Sequence, residues 1–122
     1  MNFNQEESCS HLEQTAEMLG MKLTPKLESC SVLEDAISGL IEIGDQEALN
    51  GAKFMGGVYL GKIIKEIVGG EWLKHDDSNQ LCLKINDSIV FPISAVESYI
   101  SDPNENSLTF YANTVINQCL KR

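Results

Sequence analysis

The feature that most constrains this chain is a change of hydrophobic period at Gly69-Gly70. Up to that pair, apolar residues recur every three or four positions, the spacing of one helix face. Beyond it Trp72, then Leu81, Leu83 and Ile85, then Ile89 to Phe91 follow the two-residue repeat of a pleated strand. Turn-forming Asp76-Asp77-Ser78-Asn79 and Asn86-Asp87 separate these runs, and links that short make neighbouring strands antiparallel. The expected architecture is α+β: helices packed on a small three-stranded antiparallel meander, in a single domain spanning residues 1–122. No internal repeat, linker or low-complexity segment interrupts it.

The helical part divides at its own punctuation. A first helix is expected from Glu6 to Leu19, with Gly20 as its stop. A second starts at Ser31, where the hydroxyl and Glu34 three residues later have the form of a capping box, and ends at Gly44. Asp45 is placed to cap a third, reaching Val68, with Leu49, Ala52, Gly56, Leu60, Ile63 and Ile67 along one stripe. Between Phe54 and Leu60 this helix is apolar on nearly every side, which requires neighbours on several faces. Its glycines, Gly51, Gly56, Gly57 and Gly61, each cost about 1 kcal/mol relative to Ala in a helix, so close backbone approach is expected there. After the strands, Pro92 closes the third strand and opens a short helical turn through Val96 to Ile100. A last helix from Ser107 sets Leu108, Tyr111, Val115 and Cys119 on one face.

Charge narrows the function. The chain carries a net −9, and residues 1–50 hold ten acids against two bases, Lys22 and Lys26. Such a field repels nucleic acid and favours rapid encounter with a basic protein. The start of the chain has early acid and no basic region followed by an apolar run, so the expected location is the cytoplasm. The most apolar stretch, 54–68, is broken by Lys62, Lys65 and Glu66, and no membrane span is expected. Cys9, Cys30, Cys82 and Cys119 form no CxxC pair and read as free, buried thiols.

Motifs with chemistry in them fail on inspection. Gly56 to Lys62 satisfies GxxxxGK, yet Ile63 stands where a magnesium-holding Ser or Thr is needed, and a helical pattern replaces the preceding strand. His75-Asp76-Asp77 offers metal-ligating side chains, but three adjacent residues do not readily converge on one ion, and a solvated turn is the expectation. Adjacent carboxylates such as Glu6-Glu7 and Glu34-Asp35 point apart on a helix. Trp72 is expected in the core rather than as an exposed anchor. No catalytic residue, cofactor or metal is therefore expected.

Gly56-Gly57-Val58-Tyr59-Leu60-Gly61-Lys62-Ile63-Ile64, Gly69-Gly70-Glu71-Trp72, and Pro92 followed by amphipathic Val96 to Ile100 together resemble a pattern of small bacterial domains of unknown function. Several of those domains look like immunity proteins, made beside a secreted or contact-delivered toxin. The resemblance covers about residues 50–112 and implies a structural motif without catalytic residues. Combined with the acidic first 50 residues, which lie largely outside it, the resemblance implies a cytoplasmic protein that neutralises a basic toxin domain by direct binding. The exposed acids Glu34, Asp35, Glu42, Asp45 and Glu47 are the expected contact surface. Two other readings stand beside it: a housekeeping adaptor or homo-oligomeric scaffold, and a small thiol enzyme pairing Cys82 with His75. The partner's identity and the oligomeric state stay open at this level.

Overall fold

A computed structural model describes residues 5–18, 20–24, 26–43, 46–74, 81–86, 88–102, 105 and 107–120. Three helices come first: α1 (Gln5–Met18), α2 (Cys30–Ile43) and α3 (Gln46–Val68). Strands β1 (Glu71–Lys74), β2 (Leu81–Ile85) and β3 (Ser88–Val90) follow, then α4 (Pro92–Ser101) and α5 (Leu108–Leu120). The strands form one antiparallel sheet in the order β1-β2-β3, with Trp72 opposite Leu83 and Lys84 opposite Ile89. This is the α+β meander that the change of period implied.

Local chemistry explains where the elements stop. Gly20 ends α1 at φ +81°, where its N–H reaches the Glu17 carbonyl (3.0 Å) and the Met21 N–H reaches that of Ala16 (2.9 Å). These paired bonds are a Schellman ending, which needs a residue that tolerates left-handed backbone. Gly70 precedes β1 at φ +124°, and a Cβ there would stand 2.8 Å from the Lys84 carbonyl oxygen. Conformation and space both exclude a larger residue. Between β2 and β3 a two-residue link joins Ile85 to its partner Ser88, with Asn86 at φ +56°. Pro92 occupies the first turn of α4, where its missing N–H has no helical partner to lose.

α3 is the axis of the molecule, packed against α1, α2, α4 and α5. Val58, Tyr59, Leu60, Ile63 and Ile64 are fully buried on it, each contributing roughly 1.5–3 kcal/mol of apolar transfer. The near-continuous apolar run expected to need neighbours on several faces has them. Tyr59 carries a hydroxyl into this core and donates it to Glu13 Oε2 of α1 at 2.6 Å. Burial first, then the bond to Glu13 and its charge, push that phenol far above its usual range.

The glycines of α3 make a seam. A Cβ on Gly57 would collide with the Ile93 backbone, and one on Gly61 with the Trp72 ring. One on Gly56 would lie 3.1 Å from Ile37 Cδ1. Gly57 thus admits α4 and Gly61 admits β1, so both serve contact between elements. Trp72 itself is half-buried against the core, on the sheet face shared with Leu83. The segment that mimicked a phosphate loop is the interior of this helix.

Three expectations change. Gly51 makes no close approach, since the nearest atom to a Cβ there is Met55 Cε at 3.6 Å. The Ser31–Glu34 capping box does not form, because a 3-10 turn (Leu27–Ser29) feeds directly into Cys30 and begins the helix earlier. Ser31 Oγ instead donates to the Glu28 carbonyl at 3.3 Å, and Glu34 is engaged elsewhere. The short turn expected from Pro92 through Ile100 starts where expected but is a full helix of 10 residues, packed on α3. The Gly44 stop and the Asp45 cap lie outside the described residues.

Candidate binding surfaces

α2 buries Cys30, Leu33, Ala36 and Ile37, and this stripe decides where its acids point. Asp35 and Glu42 are both exposed, seven residues apart, hence two turns apart on the outer face. Glu47, on the first turn of α3, is exposed as well. Three of the five expected contact acids therefore face outward, and Asp45 lies outside the described residues.

Glu34 is set apart from them. Its Oε2 accepts the Leu108 N–H at 3.1 Å and its Oε1 accepts the Thr109 hydroxyl at 3.2 Å. Leu108 opens α5, where the first N–H groups have no helical partner and the helix dipole favours an anion. Ser107 Oγ takes the Phe110 N–H at 3.3 Å, so α5 has a local cap and a second one delivered from α2. Tyr99 of α4 joins the same knot, donating to the Glu34 carbonyl at 3.4 Å with Ser38 Oγ 3.2 Å from its hydroxyl. Half-buried Glu34 ties α2, α4 and α5 together.

A second surface lies where β3, α4 and α5 meet. A cleft of about 540 Å³ is bordered by Ile89, Val90 and Phe91, by Ala95 and Ser98 of α4, and by Phe110 and Tyr111 of α5, with Glu105 among its lining groups. Phe110 is 73% exposed and Ile89 44%, two large apolar side chains at one opening. Tyr111 lies deeper, and burial pushes its phenol up to about 12 against the pull of a backbone hydrogen bond with Phe91. Phe110 does not belong to the apolar stripe of α5 formed by Leu108, Tyr111, Val115 and Cys119, so the helical period alone does not single it out. The available signal was an aromatic residue lying off that stripe.

The thiols are placed for packing. Cys9, Cys30, Cys82 and Cys119 are buried and form no disulfide. Burial, and secondarily the nearby Glu34 charge, push Cys30 up to about 11, and burial raises Cys82 too. A thiol so shifted holds little thiolate at neutral pH. His75, the suggested partner of Cys82, and the His75-Asp76-Asp77 run lie outside the described residues. Among the described residues no three His, Cys, Asp or Glu side chains gather as a metal site, and no helix is long and apolar enough to cross a membrane. Comparison with protein families, curated proteins and solved structures yields no match for this chain.

Proposed function

We propose that this chain is a non-catalytic binding protein for a basic protein partner, acting in the cytoplasm as an immunity protein that neutralises a secreted or contact-delivered bacterial toxin. The observation that carries the reading is the outward placement of Asp35, Glu42 and Glu47 on helices anchored to the central α3. Carboxylates held on rigid helices raise the rate of encounter with a cationic surface and discriminate against acidic competitors. The strong negative charge of residues 1–50 points the same way, and so does the resemblance of the central glycine pattern to immunity-type domains. Those glycines make packing contacts, which suits a protein whose task is to present a surface.

Co-expression with the product of the adjacent gene tests this. The expected result is a salt-sensitive complex and rescue from that product's toxicity. The double change Asp35→Lys with Glu42→Lys should slow association about tenfold or more at low salt. Failure both to associate and to rescue removes the proposal. A homo-oligomeric scaffold is the second reading, favoured by exposed Phe110 and Ile89. A stable oligomer in sedimentation, with no toxin gene nearby, would select it.

A further inference from the structure

We propose that the free edge of β3 and the cleft beside it receive an extended basic segment of the partner, added to the sheet as a fourth strand. This rests on the reading of the chain as a binder of a basic protein and supplies a place where that partner inserts.

The argument starts from the two-residue link between β2 and β3. Ile85 and Ser88 flank it and so form the hydrogen-bonded pair that closes the hairpin. Pairs alternate along an antiparallel ladder, so Lys84 and Ile89 form the next, non-bonded pair. Ile89 therefore turns its N–H and C=O away from β2. β3 is an outer strand of the β1-β2-β3 sheet, so these groups point past its edge. The cleft is on that side: Ile89, Val90 and Phe91 all border it. Ile89 and Val90 are successive strand residues whose side chains point to opposite faces, so both border one cleft along the strand's edge, and Phe91 continues that border toward α4.

An added strand would exchange two main-chain hydrogen bonds with Ile89 and send an alternate side chain between α4 and α5, where Phe91, Ala95 and Tyr111 offer apolar walls. The volume, about 540 Å³, accommodates a large aliphatic or aromatic side chain. Phe110 and Ile89, exposed at the opening, would be covered by the same segment. Charge selects the occupant. Among the described residues the lining includes Glu105 and no base, so a Lys or Arg next to the apolar anchor is complemented. A second copy of this chain would bring its own net −9 to the same edge.

The test uses the full chain, isotope-labelled for NMR, and a short end-blocked peptide of alternating lysine and leucine at physiological salt. Expected are saturable shifts at Ile89–Phe91 and Phe110–Thr114, with slowed exchange of the Ile89 amide. Methylating the nitrogen of the peptide's central leucine, or introducing Phe110→Asp, should each weaken binding about tenfold or more. Phe110 is largely exposed, so the variant should keep the wild-type melting temperature, and the methylated peptide provides a test independent of any variant. Equal binding of the methylated peptide overturns the inference. So do shifts confined to Asp35, Glu42 and Glu47, absence of binding, or occupation of the β3 edge by a second copy. A natural complex that survives Phe110→Asp but is lost with Asp35→Lys and Glu42→Lys would retain the proposed function and discard the cleft. Peptide binding at β3 without any toxin partner would do the reverse.

Discussion

The glycine seam of α3 and the cleft beside β3 are opposite solutions to packing two elements together. At Gly57 and Gly61 the neighbours come so close that a single methyl group has no room. At the cleft, β3, α4 and α5 border a space of about 540 Å³, with Phe110 outside the core. The contrast teaches that the closest packing is concentrated along α3, while the β3 edge keeps the space a partner could use. Glu34 links the two regions, since it belongs to the helix that packs on α3 and caps the helix that forms the cleft wall.

The strongest way to break this contrast is Gly57→Ala. The added carbon meets the Ile93 backbone, which cannot turn aside as a side chain can, so we expect a loss of about 3 kcal/mol in urea unfolding. Gly61→Ala should cost less, because the half-buried Trp72 ring can swing away. That movement would be read as a shift in emission from the single tryptophan.

Alkaline pH acts on the start of α2 and on the cleft wall together. Cys30 is pushed up to about 11 from 9.0, and Tyr111 to about 12 from 10.0, so the folded state holds each proton more tightly than the unfolded chain. Their contribution is complete below the unfolded values and disappears as pH rises through the folded ones. Stability should fall between about pH 9 and 12, by roughly 2–3 kcal/mol per group. Phenolate absorbance of buried Tyr59 should appear only as the fold is lost, and early, non-cooperative ionisation of all tyrosines would contradict this.

Glu34→Ala should cost about 1–2 kcal/mol, because it strips the second cap from α5. Faster amide exchange should begin at Leu108 and spread into the cleft wall. Gly51→Ala should stabilise by about 0.5–1 kcal/mol, since helix propensity is gained where no neighbour crowds the new carbon. Phe110→Ser should leave stability within about 0.5 kcal/mol of wild type. A large loss there would mean that Phe110 is part of the core and that the two regions are not distinct.

Elements and their order were legible in this sequence because their signals are local. Gly20, Gly69-Gly70, Asn86 and Pro92 act through backbone freedom or its lack, and the change of period from helix to strand spans only a few residues. The same locality explains the meander, since short links leave neighbouring strands no choice but to pair antiparallel. Side-chain partners were decided elsewhere. Glu34 has the spacing of a local capping box, yet it caps a helix more than seventy positions away, because the 3-10 turn moves the helix start and α5 brings unpaired N–H groups within reach. Which of four α3 glycines are indispensable, and whether Phe110 faces core or solvent, likewise depended on atoms distant in the chain. Period and turn chemistry determine what each segment becomes; only folding in three dimensions decides what it touches, because contact depends on the placement of both partners and a linear pattern describes one at a time.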